Sequence, residues 1–340
     1  SFEWERGWVT FKTGIGQFDV GYQAVDAWGT AFGDSGTSRP KISFATPLGP
    51  VWLFLVYEKV YENTVNLTAA DKDTYAIAAA YYGKGLETGL LFKNYAFNNL
   101  RPALGLKTNI NQISPYMKGT FGPVYVEAEA NYWFGKAAAY EAPAAAGTPD
   151  IDQEGWGAYI HAKMNLGPAY VGAQFGYSSG DDYLDATAAK TSPCGGGTDW
   201  NPALILMNDD LSTWAGSNAA AVTPFGGAAA GTPTSKKLNT VIYNLYAGFN
   251  PMPKLNVQAA LTYATVAEKA YMQTAVLRVE AVSKKLGTEF DLTATYKIYD
   301  NLSYMVGAGY LWTGDYFKGN SATAQVDDDY LVMNKLTLSF

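Results

Sequence analysis

The chain has 340 residues, 48% apolar and only 16% charged, with 25 Tyr, 35 Gly and a formal charge of −7. An acidic balance without a basic stripe excludes a nucleic-acid footprint, and no run approaches the ~20 consecutive apolar residues that a membrane-crossing helix needs. A single cysteine, Cys194, excludes an internal disulfide framework.

Along the chain the dominant signal is period-two alternation in short segments bounded by Gly, Pro, Asn or Asp, the mark of strands with one wet and one greasy face. Fifteen strands are predicted, at 2–13, 16–25, 39–47, 50–61, 72–83, 85–96, 104–121, 124–135, 153–165, 168–178, 239–250, 254–265, 284–299, 301–312 and 328–340. In the eighth, Val124, Val126, Ala128, Ala130, Tyr132 and Phe134 oppose Tyr125, Glu127, Glu129 and Asn131. In the ninth, Trp156, Ala158, Ile160, Ala162 and Met164 oppose Tyr159, His161 and Lys163. Further on, Leu255, Val257, Ala259, Leu261 and Tyr263 oppose Asn256, Gln258 and Thr262. The clearest case puts Leu286, Phe290, Leu292, Ala294, Tyr296 and Ile298 on one face, and Lys285, Glu289, Asp291, Thr293, Thr295 and Lys297 on the other.

Short connections, such as 13–16, 47–50, 83–85 and 300–301, alternate with long ones, such as 25–38, 61–71, 135–152 and 313–327, and many aromatics sit at segment ends. Turns on one side, loops on the other and aromatic girdles predict an all-β fold, a transmembrane antiparallel β-barrel, over the single domain 1–340. Fifteen is odd, whereas bacterial barrels have even counts, so 16 or 18 strands are expected in the full protein, with one or more lying upstream. Residues 179–238, rich in Ala, Gly, Thr and Pro with an apolar island at 204–207, read as a long loop, extracellular or folded inward.

The last segment, Tyr330-Leu-Val-Met-Asn-Lys-Leu-Thr-Leu-Ser-Phe340, resembles the C-terminal assembly signal of outer-membrane barrels. Near the start, Gly14-Ile-Gly-Gln-Phe-Asp-Val-Gly-Tyr-Gln23 resembles the hairpin that precedes the constriction loop of general porins, with Tyr22 where many of them carry Arg. That likeness implies that 25–38, with Trp28-Gly-Thr-Ala-Phe-Gly-Asp34, folds inward and narrows a pore. Leu286-Gly-Thr-Glu-Phe-Asp-Leu and Gly309-Tyr-Leu-Trp-Thr-Gly-Asp315 are similar to the closing hairpins of alginate-export-type barrels of 18 strands. The resemblance implies a Gram-negative outer-membrane porin: a homotrimer on the general-porin pattern, a monomer on the exporter pattern.

The expected pore lining is Asp19, Asp34, Arg39, Lys41, Glu127, Glu129, His161, Lys163, Glu289, Asp291 and Lys297, both signs being present with a modest acidic excess that predicts weak cation preference. Carboxylates two residues apart on a strand share the wet face, which suits a hydrated wall better than acid/base chemistry. His161, the only histidine, has no cluster of ligands around it in sequence and reads as lining. No catalytic residue and no cofactor is expected. The acidic pairs Asp181/Asp182 and Asp209/Asp210 and the run from Asp327 to Asp329 offer oxygens of the kind Ca²⁺ takes, though solvated loop charge is the simpler reading. The expected function is passive diffusion of small hydrophilic solutes or ions, with outer-membrane lipid and lipopolysaccharide as surroundings. Three rivals stand beside it: a substrate-specific exporter, a sheath enclosing a partner such as a multihaem cytochrome, and an outer-membrane enzyme.

Overall fold

A strand with one wet and one greasy face satisfies its backbone only by pairing sideways, and in this chain each strand pairs with its neighbours in sequence. The computed structural model describes residues 5–34, 36–62, 70–141, 147–181, 185, 187–191, 197, 200–208, 237–273 and 278–339. The strands begin with β1 (Gly7–Thr13), β2 (Gly16–Val25), β3 (Thr37–Leu48), β4 (Val51–Tyr61), β5 (Lys72–Gly83), β6 (Leu86–Phe97), β7 (Leu106–Phe121) and β8 (Val124–Tyr140). There follow β9 (Ile151–Leu166), β10 (Ala169–Ser178), β11 (Ala188–Ala189), β12 (Thr240–Met252), β13 (Leu255–Val266), β14 (Tyr271–Gln273) and β15 (Arg278–Glu280). The last are β16 (Lys285–Tyr299), β17 (Leu302–Thr313) and β18 (Asp329–Leu338).

A single sheet holds 16 strands; leaving aside β11, which lies parallel to β9, the others form one antiparallel meander from β1 to β18. Each strand of the meander answers to one of the segments predicted from alternation, and the all-β class is as expected. The largest extension is β8, which runs on to Tyr140. Within the long connections lie two elements that alternation did not reveal, β11 and the separate β14–β15 hairpin. Among the described residues the helical segments are the four-residue turns Arg101–Leu104 and Asp315–Lys318, so no helix is long and apolar enough to cross a membrane.

The register carries the two faces from strand to strand. Val20 pairs with Ile42, and Leu55, Ile77 and Phe92 follow one another across β4, β5 and β6; all are exposed. The same outward belt continues through Ile160, Leu245, Leu261, Leu292 and Val306. On the other face the sheet curls, bringing residues between β2 and β3 against β7, β8 and β9. At its two margins β1 pairs with β2 and β18 with β17, and among the described residues neither has a second neighbour.

One expected facing is corrected. Leu286 does not share the outward row of Phe290 and Leu292; it is fully buried among Leu311, Val266 and Tyr316. The pairing slips between Ala264 and Thr265, which face Gly287 and Lys285, so Leu286 is the extra residue of a bulge. One inserted residue turns every side chain before it to the opposite face. Gly287 takes φ +148 there, and a Cβ on it would lie 2.6 Å from the Trp312 carbonyl oxygen. Gly287→Val is therefore expected to cost about 1–3 kcal/mol, seen as a lower denaturation midpoint of the purified protein.

Candidate functional site

Two connecting segments occupy the concave interior, and both are tied down by carboxylates on the inward strand faces. The first, residues 26–34, leaves β2 through Asp26, whose φ of 57 turns the chain inward. Trp28 Nε1 donates to the Ser114 carbonyl on β7 at 2.9 Å, and the Thr30 N–H and hydroxyl donate to Glu129 Oε2 on β8 at 2.7 and 2.8 Å. Phe32 lies flat on Tyr159 of β9 with ring centroids 5.5 Å apart. A methyl group at Gly33 would run into the Glu129 carboxylate, so glycine there lets the backbone approach it.

The second segment, residues 200–208, rests on β10, β12, β13 and β16. Trp200 Nε1 donates to Gln174 Oε1 at 2.6 Å, and Asn244 Nδ2 to the Pro202 carbonyl at 2.9 Å. The N–H groups of Leu204, Ile205 and Leu206 then converge on the Glu289 carboxylate at 2.9, 2.7 and 2.7 Å, with Asp291 Oδ2 3.3 Å from the first. The side chains of Ile205, Leu206 and Met207 complete an apolar cluster with Leu286, Leu311 and Tyr316. The two segments also meet, the Trp200 ring standing edge-on to Phe32 with centroids 5.5 Å apart.

Glu129, Glu289 and Asp291 are thus on the inward face, but they are buried beneath these segments and hold backbone N–H groups rather than facing water. The other expected lining residues are distributed widely. Asp19 accepts from Thr10 and Gln17, and Lys41 Nζ donates to the Ala24 carbonyl at 2.6 Å. Asp34 lies on the inward segment and accepts from the Gly36 N–H at 3.1 Å. Glu127 receives hydroxyls from Tyr125 and Tyr159 and sits 3.1 Å from His161 Nδ1, while His161 Nε2 is 2.6 Å from the Tyr246 hydroxyl. Lys163 Nζ stands 4.2 Å above the Tyr170 ring. Lys297 is exposed at the turn-side rim, 3.1 Å from Asp300. Of the acidic loop residues, Asp182, Asp209 and Asp210 lie outside the described residues, as do Cys194 and Phe340. Among the described residues no group of three or more His, Cys, Asp or Glu could hold a metal ion.

Between the segment 26–34 and strands β2–β8 runs a cavity of about 590 Å³, lined from Gln17 and Asp19 at the turn side to Asp26 and Glu58 at the loop side. Its loop-side end carries a charge network that the sequence reading did not single out. Lys93 Nζ lies 2.8 Å from both Asp26 and Glu58, and Arg39 lies 3.2 Å from Asp26 and 3.8 Å from Glu58. Thr74 Oγ1 donates to Glu58 at 2.7 Å. Glu58 was hard to see because its row-mates Trp52, Phe54 and Val56 are apolar, which hides which face of β4 is inward.

No family model matches the chain, and no curated protein does. Among solved structures it is similar to Pseudomonas aeruginosa OccK8 (OprE), at 9% identity and TM-score 0.49, covering 97% of this chain and 78% of that one. It is similar also to the outer membrane protein opdK of Pseudomonas aeruginosa, at 9% identity and TM-score 0.47, covering 97% and 79%. A structure described as a porin shows 12% identity and TM-score 0.40, covering 76% and 75%. With each TM-score below 0.5, the functional reading rests on this chain's own strands and interior.

Two outcomes are expected from this geometry. Glu289→Ala leaves three backbone donors without their acceptor, a loss of about 1–3 kcal/mol, and limited proteolysis should then cut within 200–208 where the parent is resistant. In the long connection, Asp185 accepts from the Thr187 hydroxyl and N–H at 2.8 and 3.1 Å and lies 3.0 Å from Lys190 Nζ. The Thr187 hydroxyl first, then Lys190, pulls the Asp185 carboxyl down to about 2. A depressed carboxyl contributes above its ordinary unfolded value of about 3.9 and is lost as pH falls through the folded one. Amide exchange at Thr187 should therefore stay slow from neutrality to about pH 4 and gain an opening component as pH falls toward about 2.

Proposed function

We propose that the chain forms the barrel wall of a Gram-negative outer-membrane channel through which small hydrophilic solutes and ions pass by diffusion. The observation that carries this reading is the union of an outward belt of exposed apolar side chains with an inward face that borders a cavity running the length of β2. From Gln17 to Val25 a strand rises about 26 Å, close to the ~25 Å apolar band of outer-membrane barrels. An apolar belt of that extent would be a liability in water and is the expected surface in lipid.

In hydrocarbon an unpaired strand margin leaves backbone groups unsatisfied. On this reading β1 and β18 take partner strands across the gap, in a barrel of 16 or 18 strands. The inward segments favour a channel over a sheath, because they fill the space that an enclosed partner would need. Among the described residues the hydroxyl against His161 Nε2 is the phenol of Tyr246, and no serine, threonine or cysteine is bonded to that ring, which disfavours a serine- or cysteine-type hydrolase built on it.

Four acidic groups (Asp19, Asp26, Glu58, Glu129) and two basic ones (Lys41, Lys93) line the cavity, with Arg39 paired to Asp26 beside it, so charge selection between small ions is weak and leans toward cations. The purified protein in a planar bilayer should give stable single-channel steps in KCl, and a salt gradient should give a reversal potential near zero, displaced slightly toward cation preference. A protein that inserts yet never conducts, or that co-purifies with a haem protein filling its interior, would refute the channel.

A further inference from the structure

The inward face carries apolar side chains on several strands, and the chain treats two such stretches differently. On β17 and β18, Leu311 and Leu331 are apolar and inward, and the segment 200–208 packs over them. On β4, β5 and β6 the inward residues Trp52, Phe54, Val56, Ala76, Ala78 and Leu91 border the cavity instead. The sequence marks this stretch: Val51-Trp-Leu-Phe-Leu-Val-Tyr57 is apolar at both parities, so the alternation that governs the other strands is lost. Apolar side chains facing water cost free energy in proportion to their area, and polar ones would serve an open water passage better.

Beside this wall, on β2 and β3, the cavity is lined by Gln17, Asp19, Lys41 and Ser43. Asp19 pairs in register with Ser43, and Lys41 stands two residues along, opposite Gly21, so the anion and the cation are diagonal neighbours on one wall. Neither belongs to an ion pair among the described residues: Asp19 accepts from Thr10 and Gln17, and Lys41 donates to the Ala24 carbonyl. Glu58, directly opposite Lys41 in register, is held by Lys93, Arg39 and the Thr74 hydroxyl, and Asp26 by Lys93 and Arg39.

A cation and an anion side by side next to an aromatic and aliphatic wall are complementary to a molecule with both charges and a greasy group. We propose that the stretch between Asp19, Lys41 and Phe54 is a binding subsite for small zwitterions bearing an apolar ring or chain, an inference that rests on the channel reading. The solute's carboxylate faces Lys41, its ammonium faces Asp19, and its apolar group lies on Phe54 and Trp52, whose rings stack at 6.5 Å. The cavity volume of about 590 Å³ falls within the ~300–1,000 Å³ of small-molecule sites.

Phenylalanine and glutamine share one zwitterionic head and differ in the side group, so single-channel recording with each as a probe isolates the wall. Phenylalanine is expected to interrupt the KCl current at about fivefold lower concentration than glutamine, the scale of one aromatic contact. Phe54→Ser should erase that difference and Phe54→Leu should keep most of it, whereas Lys41→Gln should weaken block by both probes and leave their ratio in place. Equal block by the two probes in the parent protein overturns the subsite without any variant, and so does a difference that survives in both Phe54→Ser and Trp52→Ser. A channel that conducts without discriminating defeats this subsite alone; a protein that never conducts defeats the channel reading with it.

Discussion

Sideways pairing of backbone groups is the constraint on which the rest of the molecule depends. Because each strand of the meander gives its N–H and C=O groups to its neighbours, the outward face can show only side chains, and those side chains can be apolar. The register keeps this consistent across the sheet: outward residues such as Leu55, Ile77 and Phe92 fall opposite one another, so an apolar belt is continuous and not a scatter of single positions. A slip of one residue would transfer a whole row to the wrong solvent. The bulge at Leu286 confines such a slip to the loop-side end of β16, where an inward apolar residue has a cluster to join.

That same logic leaves the interior with a problem of its own. Chain that folds inward leaves the ladder and must find other acceptors for its N–H groups. Inward carboxylates supply them. Glu129 takes the Thr30 N–H and hydroxyl, and Glu289 takes three successive N–H groups from Leu204 to Leu206. A carboxyl group has several lone-pair sites and can serve several donors at once. The fixed position of each carboxylate on a strand thereby fixes the position of a loop.

The strand-level architecture was legible because period two is imposed directly by the geometry of an extended chain between two solvents. The meander and the inward location of Glu127, Glu129, His161, Glu289 and Asp291 followed from parity alone. Parity says nothing about what lies over a residue. That Glu129 and Glu289 anchor chain instead of facing water depends on contacts between positions 99 and 85 residues apart, for which no local pattern exists. Asp26, Glu58 and Lys93 escaped for a related reason: Glu58 stands at the end of a strand that is apolar on both faces, and Asp26 lies in a connection with no period at all.

The charge network also bears on why the cavity is open. Segment 26–34 carries Trp28 and Phe32, and the inward wall of β4–β6 is apolar, so burial by itself would draw the one onto the other. The segment is held at two points. Asp26, its first residue, is gripped by Arg39 of β3 and Lys93 of β6, and four residues later Thr30 is fixed to Glu129 of β8. Trp28, between these anchors, turns its ring edge-on to Tyr116 at 5.0 Å and gives its N–H to the Ser114 carbonyl, both on β7. An apolar surface that the chain could have covered is kept uncovered by charged and hydrogen-bonded contacts on either side of it. Reaching the wall would mean giving up the pairing of partly buried charges at Asp26, whose loss leaves Lys93 and Arg39 less well compensated in a confined space. Specific polar anchoring outweighs non-directional burial at this point, and the space it preserves is the cavity beside Phe54.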